Sequence, residues 1–274
     1  MIVSIASGKG GTGKTTIATN LALSAVNAQL VDSDVEEPNS HIFLKPSIDT
    51  SEPVTVLVPV IDKQKCNFCG RCQEVCQYNA IAVMKKEVLL FNELCHSCGG
   101  CVILCPRGAI SEREREIGIV EKGLSGNVAF VHGKLNIGEV MAPPLIRAVK
   151  KNIDNQKNVI IDAPPGTSCP VIEAVKGSNY CLLVTEPTPF GLNDLKLAVA
   201  MLRTIGIDFG VVINRSDLGN KDTVDYCAGE SIPVLASLPF KKEIAVAYSE
   251  GIPIIESIPE YRAIFTDLYK RIFK

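Results

Sequence analysis

The sequence predicts an α/β fold, a mostly parallel sheet covered by helices on both faces and interrupted by a small α+β insert. Three observations carry that expectation. Short apolar runs alternate with helical patterns along most of the chain, a glycine-rich loop follows the first of those runs, and eight cysteines fall between positions 66 and 105.

The first run, Met1 to Ala6, reads as a buried strand. Thr15 to Val26 then carries Ile17, Ala18, Leu21, Ala22 and Ala25 at helical spacing. Ala28 to Val31 is a second buried strand, ending at Asp32-Ser33-Asp34. Further strands are predicted over 158–161, 180–185, 209–214 and 234–237, with helices near 142–152, 192–205 and 221–230. Strands that are apolar throughout, joined by helices, imply a parallel sheet buried on both faces.

The alternation breaks between about Ser47 and Arg115. A turn-rich stretch, Ser47 to Pro53, leads in. The charged run Glu112 to Glu116 leads out, most simply as a solvated face or strand edge. Between them an internal repeat at an offset of 29 takes Cys66 to Cys95, Cys76 to Cys105 and Ala80-Ile81 to Ala109-Ile110. The expected organisation is one domain over 1–50 and 115–274, holding an inserted domain over 51–114.

With 28 basic and 30 acidic side chains the net charge is −2, too small to make nucleic acid or anionic lipid the default partner. No apolar run approaches the ~18 residues of a membrane span, and the N-terminus is too short in apolar residues for a signal peptide. The chain reads as cytoplasmic, a compartment in which crowded cysteines point to metal rather than to disulfides.

Gly8-Lys9-Gly10-Gly11-Thr12-Gly13-Lys14-Thr15 fits G-x-x-x-x-G-K-[ST] between a strand and a helix. Gly8, Gly10, Gly11, Thr12 and Gly13 would turn backbone N–H groups onto phosphate oxygens, with Thr16 beside them at the helix start. Lys14 would reach the β- and γ-phosphates, and the Thr15 hydroxyl would ligate Mg²⁺. This is the signature of a P-loop NTPase that binds a nucleotide with Mg²⁺.

Lys9 is a second lysine in that loop, and KGGTGKTT resembles the deviant Walker A of the MinD/ParA/Mrp and nitrogenase iron protein ATPases. The resemblance covers 1–45 and about 125–274. It implies a homodimer with nucleotide sandwiched between the subunits, Lys9 reaching the partner's phosphates as an arginine finger would. It further implies that Asp34 is the switch I aspartate that orients or deprotonates the attacking water, with Asp32 holding a Mg²⁺-bound water. Asp162, closing NVIID, would be the switch II aspartate sensing Mg²⁺ and the γ-phosphate. The Pro-Pro-Gly close behind it argues against a helix cap there. Asn214 would hydrogen-bond the base. Asn214 to Asp217 is one residue from the NKxD guanine signature, so GTP stays open while the deviant loop favours ATP.

Cys66, Cys69, Cys72 and Cys76, like Cys95, Cys98, Cys101 and Cys105, repeat the bacterial ferredoxin spacing. That resemblance implies two [4Fe–4S] clusters in a ferredoxin-like insert, the fourth cysteine of each repeat serving the other cluster. One would take Cys66, Cys69, Cys72 and Cys105, and the other Cys95, Cys98, Cys101 and Cys76. Zinc is the alternative for paired CxxC motifs. Gln77 stands where the second repeat has Pro106.

Smaller signals receive plain readings. Cys169 is read as a buried small residue rather than an interface ligand, and Cys181 and Cys227 as packing residues. His41, His96 and His132 read as isolated, none of them a ligand. Tyr261, Ile264, Phe265, Leu268, Tyr269, Ile272 and Phe273 line one face of a C-terminal helix, with Lys270, Arg271 and Lys274 opposite. That face is expected on the sheet rather than on a membrane. The combined expectation is an ATPase gating electron transfer to a redox or iron–sulfur acceptor protein, with no nucleic-acid or membrane partner. An Mrp-type iron–sulfur carrier or scaffold is the alternative, weakened because no CxxC follows Cys105. A MinD-type spatial regulator at the membrane comes third.

Overall fold

The computed structural model describes residues 1–273; Lys274, named above on the C-terminal helix, lies outside them. The elements run β1 (Ile2–Ala6), α1 (Lys14–Ser24), β2 (Ala28–Asp32), α2 (Ser40–Leu44), β3 (Ser47–Ile61), α3 (Arg71–Val75), β4 (Ile81–Met84) and β5 (Glu87–Leu90). There follow α4 (Gly100–Ile103), β6 (Ile110–Ser125), β7 (Val128–Leu135), α5 (Ala142–Lys150), β8 (Asn158–Asp162), α6 (Cys169–Val175), β9 (Tyr180–Thr185) and α7 (Pro189–Ile205). The chain closes with β10 (Phe209–Asn214), α8 (Asp222–Gly229), β11 (Val234–Leu238), α9 (Lys242–Ser249), α10 (Ile254–Ser257) and α11 (Pro259–Ile272).

Nine strands form one sheet in the order β11-β10-β9-β1-β8-β2-β7-β6-β3. From β11 to β7 every pairing is parallel; β6 and β3 are added antiparallel. Successive strand residues face opposite sides, so Ile160 packs with Ile5, Leu21 and Phe265 in one layer while Ile161 packs with Leu145, Leu183 and Leu202 in the other. Each such side chain contributes about 1.5–3 kcal/mol by leaving water. β1 sits between β8 and β9, where the strand order diverges, and the crevice at the carboxyl ends of these strands is where an open α/β sheet takes its ligand.

Helix α11 buries Tyr261, Phe265, Leu268 and Ile272 in the layer beside α1. Its apolar face is used by the core, which removes the basis for a membrane-surface helix. Among the described residues no helix is long and apolar enough to cross a membrane.

Strands β3 and β6 pair along their whole length, from Ser47 opposite Leu124 to Ile61 opposite Ile110. Strand β7 accompanies β6 only between Gly118 and Ser125. The remainder is a two-stranded ribbon leaving the sheet, with the charged run Glu112 to Glu116 on its solvated surface. Neither 50/51 nor 114/115 is a break in the chain path: β3 and β6 run through both. At the far end sit α3, α4 and the β4–β5 hairpin, pairing Ile81 with Leu90. The offset of 29 reappears in the backbone. Phe68, Gly70 and Asn79 have φ of 56°, 83° and 53°, and Ser97, Gly99 and Gly108 have 52°, 70° and 56°. The Phe91 N–H donates to the Ala80 carbonyl at 2.9 Å and the Asp62 N–H to the Ala109 carbonyl at 2.8 Å, the exchange that a local two-fold relation between the repeats produces.

Candidate nucleotide and cysteine sites

The loop after β1 opens a cleft of about 440 Å³ lined by Gly10, Gly11, Gly13, Lys14, Thr15 and Thr16 on one side and by Asn214, Arg215 and Phe240 on the other. Two glycines are required by sterics. A Cβ at Gly8 would stand 2.3 Å from the Asp194 carbonyl oxygen of α7. Gly13 has φ 95°, and a Cβ there would meet the Asn214 amide nitrogen at 2.5 Å. Lys14 is 7% exposed. The Asn214 side chain donates from Nδ2 to the Thr12 carbonyl at 2.8 Å, and its Oδ1 accepts the Arg215 N–H at 3.0 Å. Asn214 therefore clamps the phosphate loop as well as facing the cleft.

The parallel register sets Asp32 beside Asp162, and Ile5 beside Asp162, so both carboxylates emerge next to the loop. Ser40, opening α2, binds them together: its N–H donates to Asp32 Oδ2 at 3.0 Å and its hydroxyl to Asp162 Oδ2 at 3.2 Å. Burial raises the Asp32 carboxyl well above the usual range, and the neighbouring Asp162 raises it further. Burial also raises Asp162, against the pull of Lys14, Thr15 and Ser40. Asp34 is pushed up to about 7, chiefly by burial, with Lys14 opposing and Asp162 assisting. Asp162 Oδ1 is buried and has no hydrogen-bond partner. A spare carboxylate oxygen beside a threonine hydroxyl suits a hard oxygen-seeking cation, so the donors fit Mg²⁺.

Lys9 lies elsewhere than at the phosphate loop's own cleft. Its Nζ is 3.3 Å from Glu186 Oε2, and the same carboxylate accepts from the Arg215 guanidinium. Glu186 and Ser40 were not singled out in the sequence. Glu186 directly follows the apolar strand β9, the same signal that marks Asp162.

At the ribbon's end, Cys66, Cys69, Cys72 and Cys105 line one bowl, and Cys76, Cys95, Cys98 and Cys101 line another. Cys76 Sγ accepts the Ala80 N–H and Cys105 Sγ the Ala109 N–H, both at 3.3 Å. Burial and neighbouring cysteines raise the Cys72 and Cys95 thiols, and the same causes push Cys101 up to about 11. Such a group ionises together only around a cationic centre, so the donor set fits metal. Among the described residues no three His, Cys, Asp or Glu side chains are arranged to hold a single metal ion.

Three smaller expectations are settled by position. Cys181 and Cys227 are fully buried, whereas Cys169 opens α6 exposed, because the chain still runs over the surface after Pro164-Pro165. The histidines are not isolated. His132 Nε2 lies 2.8 Å from Glu121 Oε2, the His41 and His132 rings are 5.3 Å apart, and His96 stacks on Tyr78 at 3.4 Å. Burial holds His41 and His132 below the usual imidazole range.

The comparisons agree with this geometry. An uncharacterized protein of Methanocaldococcus jannaschii is 31% identical over 279 residues, spanning 99% of this chain and 96% of the relative. The iron-sulfur cluster carrier protein of Aquifex aeolicus is 24% identical over 94% of this chain and 63% of its own length. The septum site-determining protein MinD of Pyrococcus horikoshii, solved with Mg-ADP, superposes with a TM-score of 0.61 at 22% identity, covering 100% of this chain and 96% of that one. The CobQ/CobB/MinD/ParA nucleotide binding domain model matches residues 3–254. A phosphate loop at the sheet's divergence point, paired carboxylates on the adjoining strands and a family match over that whole span lead to one conclusion: the chain belongs to the CobQ/CobB/MinD/ParA nucleotide-binding family, with the P-loop ATPase fold of MinD and ParA.

Proposed function

We propose that the protein is an ATP-hydrolysing iron–sulfur protein in which nucleotide state gates electron transfer through two [4Fe–4S] clusters. Bound in the two bowls, each cluster would take up and release one electron. The observation that carries the reading is the grouping of the cysteines: Cys66, Cys69, Cys72 with Cys105, and Cys95, Cys98, Cys101 with Cys76. Each bowl borrows its fourth thiol from the other repeat, the arrangement of two-cluster ferredoxins. The inserted unit is then residues 51–114, comprising the outer part of β3 and β6 and the cysteine-bearing end they carry, within the ATPase domain of 1–50 and 115–274.

In the ATPase half, Gly8 to Gly13 cradle the phosphates, Lys14 neutralises the β- and γ-phosphates, and Thr15 with Asp162 holds Mg²⁺. Asp34 orients the attacking water. Asn214 keeps one amide hydrogen for the base while holding Thr12. Lys9 completes a second copy's site in a nucleotide-sandwiched homodimer. The acceptor is a redox or iron–sulfur protein.

A second reading, an iron–sulfur carrier, is favoured by the Aquifex relative. Anaerobic purification with iron, sulfide and EPR analysis tests both. The electron-transfer reading expects about eight irons per chain, held after repeated nucleotide turnover. Zinc, or about four irons, overturns the ligand assignment; eight irons passed to an apo-ferredoxin during turnover turn the reading to the carrier.

A further inference from the structure

Position by position across the repeat, the two bowls differ in charge. Arg71, next to Cys72, lines the bowl of Cys66 and Cys105, and its counterpart 29 residues on is Gly100. Arg107, two residues after Cys105, lines the same bowl, while its counterpart Tyr78 lines the other. Val83 in the first bowl answers to Glu112 in the second. The first bowl is thus lined by two cations and no carboxylate, and the second by one carboxylate and no Lys or Arg. Both arginines are exposed, and Asp62, just before the first bowl, is already paired with Lys65 at 3.5 Å. The first bowl is also the outer one. Ile61 and Ile110 line it, whereas Pro59 and Glu112, two residues nearer the body along the ribbon, line the second.

We propose that the outer bowl is the port for electron exchange, where Arg71 and Arg107 dock a redox protein whose own centre is ringed by carboxylates. This rests on the reading above that both bowls hold [4Fe–4S] clusters. At the port one electron leaves the outer site and reduces the partner's centre by one, with no bond made or broken and no proton moved. Arginines that merely offset four thiolates would be needed equally at the inner bowl, which has the same number of thiols and a carboxylate instead. Arginine suits docking because its planar fork pairs bidentately with carboxylates. Phe68, Val83 and Val88 line the same bowl and add the apolar contact that protein interfaces place inside a polar rim. Opposed charge across such a face steers encounter and fixes register, effects that act through the on-rate and weaken with salt. Glu112 repels the same partner at the inner bowl.

The probe is an acidic flavodoxin in its oxidised form, with a basic c-type cytochrome as the control acceptor. Protein carrying its clusters is reduced without oxygen and mixed with each acceptor in stopped flow across a range of salt. Arg71→Gln with Arg107→Gln removes both charges. That double variant should reduce flavodoxin about tenfold more slowly at low salt, the difference vanishing near ~0.5 M salt. It should reduce the cytochrome no more slowly than unsubstituted protein does. Glu112→Gln, at the inner bowl, should leave the flavodoxin rate within about twofold. A second readout needs no electron transfer: carbodiimide coupling of flavodoxin carboxylates to lysines of this protein, mapped by peptide mass spectrometry. It should mark exposed Lys63 or Lys65, just before Cys66, ahead of exposed Lys151 on the body. Flavodoxin reduced equally fast by the double variant, or coupled chiefly to Lys151, overturns the port. So does a double variant with a lowered outer-site potential and an unchanged flavodoxin rate, which assigns the arginines to the cluster's own charge. Should the double variant lose iron, the coupling pattern of the unsubstituted protein still decides. Iron and EPR analysis of the same preparations keeps the two levels apart. Fewer than two clusters in unsubstituted protein overturns the electron-transfer reading and the port with it. Two clusters with no salt-dependent preference for flavodoxin over the cytochrome overturn the port alone.

Discussion

Asp32, Asp34 and Asp162 bring three carboxylates to one end of the cleft with a single buried lysine, Lys14, against them. Their raised affinities for protons make the nucleotide-free protein sensitive to pH in a definite sense. Asp34 moves from 3.8 to about 7 on folding, so the folded state holds its proton more tightly than the unfolded chain. The stability this contributes is whole below pH 3.8 and is lost as pH rises to about 7. Asp34→Asn should therefore raise the melting temperature of the nucleotide-free protein at pH 7.5 and change it far less at pH 4. An equal gain at both values would show that the Asp34 carboxyl is not titrating there. The two lysines of the loop should separate cleanly. Lys14→Ala should abolish tight MgATP binding, measured by calorimetry. Lys9→Ala should bind but lose hydrolysis by about a thousandfold or more, the scale of a missing arginine finger.

Helix α2 and the cysteine repeats are the elements on which the proposal turns. Ser40→Ala keeps the N–H donated to Asp32 and removes the hydroxyl donated to Asp162, a loss of about 1 kcal/mol in unfolding by denaturant. The cysteine exchange predicts a crossed result. Cys105→Ser should damage the site of Cys66, Cys69 and Cys72, while Cys76→Ser should damage that of Cys95, Cys98 and Cys101. Anaerobic EPR of each variant beside Cys72→Ser and Cys98→Ser checks this: Cys105→Ser should match Cys72→Ser. A match to Cys98→Ser instead would mean that each repeat serves its own cluster. The strands were legible in the sequence because a parallel strand buried on both faces is apolar throughout, as at Val159 to Ile161, and P-loop spacing fixed the position of Lys14 and Thr15. The ribbon was not. Strand β3 begins with Ser47-Ile48-Asp49-Thr50-Ser51-Glu52-Pro53, which reads as turn because both of its faces meet solvent and no alternation is enforced. Glu186 and Ser40 escaped for another reason: what they do depends on partners brought together only by the fold, Lys9 and Arg215 in one case, Asp32 and Asp162 in the other.

Across the whole molecule, the ribbon sets the scale of any coupling between the cleft and the cysteines. Beyond the stretch backed by β7, the seven residues Thr55 to Ile61 extend about 23 Å at the usual rise per residue. The proposed coupling has a mechanical route. The mechanical route is built at the ribbon's root. Ser40 reads Asp32 and Asp162 at one end of α2, and the Ser125 hydroxyl of β6 donates to the Leu44 carbonyl at the other. Arg115 on the ribbon pairs with the nearly buried Glu139 in the segment before α5, a second brace between ribbon and body. In the proposed reading, a nucleotide-driven shift of Asp34 to Asn39 would be passed to a lever that carries the cysteines. By linkage, whatever the nucleotide does to the electron affinity of the bowls, reduction must do to nucleotide affinity. The most direct test is an anaerobic redox titration followed by EPR, run without nucleotide, with MgADP, and with MgATP, using Lys14→Ala as the uncoupled control. The account predicts that MgATP moves at least one midpoint potential and that Lys14→Ala abolishes the movement; the same potentials in all three nucleotide states would contradict it.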